Sequence, residues 1–258
     1  AAGRMGKTLI EAIGASDNLL FVAGFERADH PRLGEDLGLI CGLGPLGVTL
    51  GSDPAAQTTA FDVVIDFTTP SATLTLAEGC ARHGNAMVVG TTGFDEEQLL
   101  TLQEYAQKTA IFVSPNMSVG VSLSMKLIEL AAKALGDEVD VEVIEAHHKH
   151  KIDAPSGTAV RIGEVLAKAL NRSMADDAVY HRQGITGARD PKAIGFSTIR
   201  GGDIVGEHTV LFAGEGERLE ITHRAHSRNN FAQGALRAVA WVANASPGWY
   251  DMDDLLGL

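Results

Sequence analysis

A chain of 258 residues, 45% apolar and 21% charged, has the composition of an ordinary globular protein and is long enough for one large domain or two smaller ones. Its 33 acidic and 21 basic residues give a net charge of −12. A surface this acidic repels phosphate backbones and anionic lipids, so we expect neither a nucleic-acid partner nor a membrane partner. Any anion that the protein binds needs a local positive pocket.

The two cysteines, Cys41 and Cys80, lie far apart and form no CxxC pair. They indicate a reducing compartment and are interpreted as small hydrophobic residues. The longest apolar stretch, Val119–Leu135, is interrupted by Lys126 and Glu129, and no signal peptide is visible. We therefore expect a cytoplasmic protein.

The first half of the chain alternates short apolar runs with stretches of helical period. After Gly6, the pattern Leu9, Ile10 and Ile13 predicts a helix. Buried strands are predicted at Leu19–Phe25, Val63–Phe67, Met87–Val89 and Ile111–Val113, and helices at Pro70–His83 and Asp95–Lys108, whereas Ala28–Ala60 is expected to be irregular. Such alternation indicates an α/β domain, with a parallel sheet covered by helices on both faces.

The second half has a different pattern. A long helix over Val119–Leu135 leads to a strand over Val139–Ala146 and a helix from Thr158 to Leu170. Three strand-like runs follow, at Ile194–Arg200, Glu207–Ala213 and Arg218–Ala225, and Phe231–Ala243 reads as a helix that packs back on the first domain. Strands separated by glycine-rich turns are typical of a mixed or antiparallel sheet, hence of a second, α+β domain.

The start of the chain carries a partial nucleotide-binding motif. Gly3 and Gly6 are spaced like the last two glycines of GxGxxG, although the first glycine and its strand are missing from the sequence. Glu26 ends the predicted strand 23 positions after Gly3, where dinucleotide-binding folds place an acid for the ribose hydroxyls. Arg27 would suit a 2′-phosphate. The plainer alternative is that Glu26 and Arg27 are solvated charges.

A second feature supports a nucleotide site. Gly90, Thr91, Thr92 and Gly93 follow an apolar strand directly, and the carboxyl end of a parallel strand is where ligands bind in such folds. The alternative is an ordinary tight turn. Together the two features favour a dinucleotide site.

The segment 147–151 gathers three histidines and two lysines in an acidic protein. Their mutual repulsion is unfavourable unless a bound anion compensates for it. Pro155, Ser156, Gly157 and Thr158 then open a helix whose first N–H groups form another anion site. Two adjoining anion sites predict a small ligand with two carboxylates, and phosphate is the simpler competitor.

A metal centre is the alternative interpretation of the histidine cluster. On a strand, however, His147 and His148 point to opposite faces, and the neighbouring lysines disfavour a cation. We therefore expect no metal. A solvated basic loop is the plainest alternative.

The run Glu-Ala-His-His-Lys-His-Lys-Ile-Asp-Ala-Pro-Ser-Gly-Thr-Ala at 145–159 resembles the signature of the 4-hydroxy-tetrahydrodipicolinate reductase family. The resemblance covers nearly the whole chain. It includes Ala-Gly-Arg-Met-Gly at 2–6, Val-Val-Ile-Asp-Phe-Thr at 63–68, Gly-Thr-Thr-Gly-Phe at 90–94, Asn-Met-Ser-Val-Gly-Val at 116–121, Arg-Gly-Gly-Asp-Ile-Val-Gly-Glu-His-Thr at 200–209 and Glu-Arg-Leu-Glu-Ile-Thr-His at 217–223.

The resemblance implies an oxidoreductase of diaminopimelate and lysine biosynthesis that uses NADH or NADPH to reduce 4-hydroxy-tetrahydrodipicolinate to tetrahydrodipicolinate. It also implies a Rossmann-like dinucleotide-binding domain over residues 1–117, completed by a C-terminal helix over 230–258. Residues 118–229 would form the substrate-binding and oligomerisation domain of a homotetramer. The expected partner is thus a small dicarboxylic acid.

Carried over residue by residue, the family pattern assigns the site. His147 matches the general acid and Lys151 the second catalytic cation. Substrate carboxylates would be held by His148, Lys151, Gly157 and Thr158. The cofactor would be held by Gly3, Arg4, Met5, Glu26, Arg27, Gly90, Thr91, Thr92, Ser114, Pro115, Asn116 and Met117. One departure is Thr69, which stands where some relatives carry arginine, and the sequence leaves the preference between NADH and NADPH open.

Two rival functions stay open at this point. A dehydrogenase for an amino-acid semialdehyde or a phosphorylated acid would share the dinucleotide-binding half of the chain. That function does not explain the basic segment and helix start at 147–158. A nucleotide-sensing protein without catalytic activity would not explain the presence of both His147 and Lys151.

Overall fold

A computed structural model describes residues 1–54 and 61–258, which divide into two compact units. One consists of Ala1–Val119 with Arg228–Leu258, and the other of Gly120–Ser227. The chain therefore leaves the first unit once and returns to it for its last 31 residues.

The first unit holds the elements that alternate along the N-terminal half. Its helices are α1 (Arg4–Gly14), α2 (Leu37–Cys41), α3 (Pro70–His83), α4 (Glu96–Ala106), α8 (Asn229–Val242) and α9 (Met252–Leu256). Its strands are β1 (Gly24–Phe25), β2 (Leu50–Gly51), β3 (Val63–Asp66), β4 (Ala86–Val89), β5 (Ala110–Val113) and β11 (Gly248–Tyr250).

Strands β11, β5, β4 and β3 form a parallel sheet in that order. Alternate residues of β4 pack in two different hydrophobic cores. Val88 packs with residues of α1 and α8, and Met87 packs with residues of α3 and α4. Both side chains are fully buried. The predicted parallel sheet with helices on both faces is thus confirmed. Burial on both sides explains why β4 is apolar at every position.

Local signals fix several element ends. Helix α3 begins at Pro70 and ends before Gly84, which adopts φ 77°. Proline suits the first turn because its missing N–H has no helical partner there, and glycine tolerates the left-handed cap. Asp95 caps α4 and exchanges hydrogen bonds with Gln98 in a capping box, an arrangement worth about 0.5–2 kcal/mol.

Two expectations for this unit are wrong in part. Of the strand expected over Leu19–Phe25, only Gly24–Phe25 is paired, with Leu50–Gly51 of β2, and Leu20 is 83% exposed. A run of apolar residues forms a strand only where another backbone can pair with it, and the described residues offer no partner to residues 19–23. The helix expected over 230–258 ends at Val242, and β11 and α9 follow it.

The stretch from residue 28 to 54 is mainly turns, as expected, although it contains α2 and β2. The part of that prediction that concerns residues 55–60 lies outside the described residues.

The second unit contains α5 (Val119–Leu135, whose first residue belongs to the first unit), α6 (Gly157–Ala169) and α7 (Met174–Asp177), with a single 3-10 turn at Gly136–Glu138. Its strands are β6 (Asp140–His147), β7 (Ala178–Val179), β8 (Ile194–Arg200), β9 (Gly206–Ala213) and β10 (Arg218–Ala225).

These strands form one sheet in the order β10-β9-β6-β8-β7. Strand β6 pairs parallel with β8 and antiparallel with β9, so the sheet is mixed, as predicted. One face, carrying Val143, Phe196 and Val210, packs in a single core with residues of α5 and α6 such as Ile128 and Leu166. Among residues 1–54 and 61–258, no helix is long and apolar enough to cross a membrane.

Candidate active site

His147 is the last residue of β6, on the sheet face that carries the helices. The register pairs His147 with Arg200 of β8, and pairs Glu145, two residues earlier, with His208 of β9. Because strand side chains alternate, residues 145 and 147 project to the same face. The side chain of His147 is only 11% exposed.

Glu145 is a buried carboxylate whose two oxygens receive hydrogen bonds. Oε1 accepts from Arg200 at 2.8 Å and from the Ser156 backbone N–H at 3.1 Å. Oε2 accepts from Arg200 at 2.8 Å and lies 2.6 Å from His147 Nδ1. Burial alone would raise the pKa of Glu145, but these hydrogen bonds outweigh it and lower the pKa to about 2. Glu145 is therefore ionised at neutral pH.

Two opposed effects act on the pKa of His147. Burial lowers its pKa, and the hydrogen bond with Glu145 acts against that shift, leaving the pKa below its usual value. His208 packs edge-on against the ring, with centroids 5.2 Å apart. On the Nε2 side lies Gly206, where an added Cβ would come within 3.0 Å of Nε2. Glycine at 206 therefore keeps the space beside Nε2 open.

The basic loop follows β6 directly. Lys151 is 21% exposed, and its Nζ lies 2.8 Å from Oδ1 of Asp153, which is 54% exposed. A pair this accessible to water contributes little stability, so a ligand carboxylate can compete for the ammonium group. His148 is partly buried, and its Nδ1 has no hydrogen-bond partner among the described residues.

Helix α6 begins immediately after Ser156. The Ser156 side chain accepts a hydrogen bond from the Ala159 backbone N–H, so Gly157 and Thr158 form the first turn. That turn contains no acidic residue. Backbone N–H groups and the helix dipole make such a terminus attractive to an anion.

Five of the predicted residues are therefore gathered in the second unit, around the end of β6 and the start of α6. They are His147, His148, Lys151, Gly157 and Thr158. The predicted cofactor residues all fall in the first unit.

At the start of the first unit, Gly3 is the N-cap of α1 in an extended conformation. No side chain caps this helix, and its first turn, which includes Arg4 and Met5, holds no acidic residue. Glu26 follows β1, and its Oε1 accepts a hydrogen bond from the backbone N–H of Ala2 at 3.0 Å. This hydrogen bond joins Glu26 to the residue that precedes Gly3. Arg27 is 73% exposed and pairs with Asp29.

Gly90 follows β4, and a Cβ at this position would come within 2.2 Å of the Phe67 ring. Thr91 is buried, and its hydroxyl donates to Asp66 at 2.9 Å while accepting from the Thr68 backbone N–H at 2.8 Å. Thr91 thus holds the ends of β3 and β4 together, while Thr92 is exposed.

The segment after β5 is Ser114, Pro115, Asn116 and Met117. Ser114 is buried and donates through its hydroxyl to the carbonyl of Asn116 at 2.8 Å. Met117 is 1% exposed and belongs to the core that contains α1 and α8. Because β4 and β5 are parallel neighbours, the loops of Gly90 and Ser114 lie at the same edge of the sheet.

Four buried or partly buried polar residues were missed by the sequence reasoning: Glu145, Arg200, His208 and Asp66. Glu145 had a signal, since it stands two positions before His147 on a predicted strand and must share its face. Arg200 and His208 lie in the run 200–209 that carries the family resemblance, but no local pattern joins them to Glu145, because only the strand register brings them together.

Family models match both halves of the chain. The model described as dihydrodipicolinate reductase, N-terminus, matches residues 1–117, and the one described as dihydrodipicolinate reductase, C-terminus, matches residues 120–256.

Two curated relatives, from Chromohalobacter salexigens and Alkalilimnicola ehrlichii, are named 4-hydroxy-tetrahydrodipicolinate reductase. Each is 54% identical over 258 residues, which is 100% of this chain and 96% and 97% of the respective relative. A solved structure of dipicolinate-bound dihydrodipicolinate reductase from Paenisporosarcina sp. TG-14 is 27% identical, with a TM-score of 0.77 over 96% of this chain and 94% of that chain.

Proposed function

Because the chain belongs to the dihydrodipicolinate reductase family, we propose that it reduces 4-hydroxy-tetrahydrodipicolinate to tetrahydrodipicolinate with NADH or NADPH, in diaminopimelate and lysine biosynthesis. The resemblance predicted from the sequence is confirmed by the two family models and by the full-length relatives. The structural observation that carries the proposal is the buried His147–Glu145 pair beside the basic loop and the start of α6.

The substrate's two carboxylates explain the two anion sites. Lys151 would bind one carboxylate by charge, with His148 beside it, and the first turn of α6 at Gly157 and Thr158 would hold a carboxylate through backbone donors. The solved relative is described as dipicolinate-bound, and dipicolinate is a planar ring with two such carboxylates.

His147 would donate the proton that completes the reduction. After the substrate loses its hydroxyl group as water, hydride addition leaves an electron-rich, enamine-like ring that must gain a proton. A histidine side chain can take up and release a proton near neutral pH, and Lys151 would orient the ring during the transfer.

The first unit fits a dinucleotide. When bound, the nicotinamide cofactor supplies the hydride. The uncapped start of α1 at Gly3, Arg4 and Met5 would receive the pyrophosphate, because its N–H groups and dipole favour an anion. Glu26 and Arg27 would lie at the adenosine ribose. The turns after β4 and β5, namely Gly90, Thr91, Thr92, Ser114, Pro115, Asn116 and Met117, would hold the nicotinamide end.

We also propose a cytoplasmic homotetramer. Supporting this assembly, Ile199 lies on the sheet face of the second unit opposite the one that packs with α5 and α6, and it is 50% exposed. The net charge of −12 supports the absence of nucleic-acid and membrane partners.

The direct test follows oxidation of NADH and NADPH in the presence of 4-hydroxy-tetrahydrodipicolinate. We expect turnover that pyridine-2,6-dicarboxylate inhibits competitively, and far weaker inhibition by pyridine-2-carboxylate, which lacks one charge. Losing one charge-assisted contact costs about 1.5–3 kcal/mol, or roughly ten- to hundredfold in affinity. Absence of turnover would overturn the proposed reaction, and equal inhibition by the two acids would overturn the dicarboxylate site.

A further inference from the structure

We propose that Glu145 is a positioning residue that binds the Nδ1–H of His147, so that the acid of the reaction is the doubly protonated imidazolium, which donates from Nε2. This inference deepens the proposed function and rests on it.

The hydrogen bonds around Glu145 determine which atom carries the hydrogen. Three of the four groups at its oxygens, the two terminal nitrogens of Arg200 and the backbone N–H of Ser156, can only donate. The carboxylate has no proton of its own to offer, because those donors keep it ionised. The close approach of 2.6 Å between Nδ1 and Oε2 therefore requires the hydrogen to be on Nδ1.

Arg200 fixes the carboxylate in place. Its two terminal nitrogens meet the two oxygens of Glu145 side by side, and they also donate to the carbonyls of Ile199 and Asp153. A bidentate pair of this kind restricts rotation of the carboxylate. The orientation of the His147 ring is thereby fixed from the side opposite Nε2.

The number of hydrogens on the His147 ring determines whether Nε2 can donate one. A neutral imidazole holds one ring hydrogen, and in His147 Nδ1 retains it, so Nε2 has only a lone pair and cannot donate. Among the described residues, no group forms a hydrogen bond with Nε2. Protonation at Nε2 gives the imidazolium. The Nε2–H bond then breaks as the new C–H bond forms on the substrate ring, its electron pair stays on the imidazole, and solvent restores the proton afterwards.

Several charges act on this imidazolium. Glu145 on β6 stabilises it, whereas Arg200 on β8 and Lys151 in the loop oppose it, and His208 packs against it from β9. Asp153 partly offsets Lys151. Of these groups, only Glu145 is a carboxylate in direct contact with the ring. Removing its charge should therefore make the imidazolium harder to form.

The test is the pH dependence of kcat/KM in wild type and in Glu145→Gln. Wild-type activity should fall as pH rises and His147 loses the Nε2 proton. In Glu145→Gln this alkaline fall should move to lower pH by about one to three pH units, the usual effect of losing one adjacent opposite charge. At a pH above both transitions, kcat/KM should be about ten- to thousandfold lower. An unmoved profile in a folded, active variant would overturn the inference.

Two variants separate this effect from a loss of folding. Glu142→Gln is the matched control, since Glu142 is another β6 carboxylate bound by arginine side chains, those of Arg182 and Arg189, but it is less buried and projects to the other sheet face. Its pH profile should match wild type. Glu145→Asp retains the charge and should restore most of the wild-type profile. If Glu145→Gln does not fold, two measurements test the inference instead. The pH profile of Glu145→Asp should match that of wild type, and NMR should show the hydrogen of the neutral His147 ring on Nδ1.

Solid-state 15N NMR of histidine-labelled enzyme gives a readout that does not depend on turnover. The signal absent from His147→Gln protein identifies His147, and above its pKa we expect the Nδ1–H form. An Nε2–H form would overturn the inference. Failure of the proposed function is distinguishable, because wild-type enzyme would then not reduce the substrate at any pH.

Discussion

The Nε2 atom of His208 lies 2.9 Å from Oγ of Ser156, and this contact links strand β9 to the cap of α6. His208 is buried, and its Nδ1 has no hydrogen-bond partner among the described residues. Burial, together with repulsion from His147, lowers the pKa of His208 to about 4. The folded protein therefore holds this residue neutral at physiological pH.

The first prediction is that acid weakens the fold through His208. Because the folded pKa of about 4 lies below the ordinary value of 6.5, the unfolded chain binds the proton more readily. Stability from the neutral ring is fully present above pH 6.5 and is lost as pH falls towards 4, by about 3 kcal/mol. Urea unfolding across this range should show a shallower decline in His208→Gln, while the exposed His83→Gln should behave like wild type. Parallel declines in wild type and His208→Gln would contradict the prediction.

The second prediction concerns the acid. If His147 donates its proton only as the transition state develops, His147→Gln should lower kcat by about 10²–10⁴-fold with little change in KM. Binding of NADH, followed by fluorescence, should be retained, because His147 lies in the second unit and the predicted cofactor residues lie in the first. Unchanged kcat would remove His147 as the acid.

The third prediction concerns Lys151, which would contact a carboxylate already in the ground state. Lys151→Met should raise KM about ten- to hundredfold, and should also lower kcat if the ring loses its orientation. Lys149→Met is the matched control, since Lys149 is an exposed lysine of the same loop. Steady-state kinetics with both variants decide the point: equal effects would show that general positive charge, and not the Lys151 contact, binds the substrate.

The fourth prediction is that Arg27 distinguishes the two cofactors. Arg27 stands beside Glu26, is 73% exposed and pairs with the exposed Asp29, so a 2′-phosphate can compete for its guanidinium. Arg27→Ala should weaken NADPH binding by about tenfold and leave NADH binding nearly unchanged, because only NADPH carries that phosphate. Dissociation constants for both cofactors provide the measurement, with the exposed Arg82→Ala as control. Similar losses for the two cofactors would exclude a role in reading the phosphate.

Much of the fold followed from local sequence signals. Helix α3 keeps its predicted bounds, α4 begins directly after Asp95, with which its predicted range started, and β8 and β10 keep their predicted bounds. These features depend on residues within a few positions of one another, so periodicity and capping were sufficient. The run over residues 19–23 failed for the opposite reason, since pairing of a strand depends on a distant partner.

The sequence by itself determined the family, the two-part architecture and the chemistry-bearing segment 147–158. Only the tertiary structure decided which groups surround His147. Glu145 and Arg200 are 55 positions apart, and Ser156 and His208 are 52 apart. Their meeting depends on the register in which β6 pairs with β8 and β9, and a register is set by packing and backbone hydrogen bonds along whole strands. The hydrogen on Nδ1 of His147 follows from that register, because it brings donors to both oxygens of one buried carboxylate.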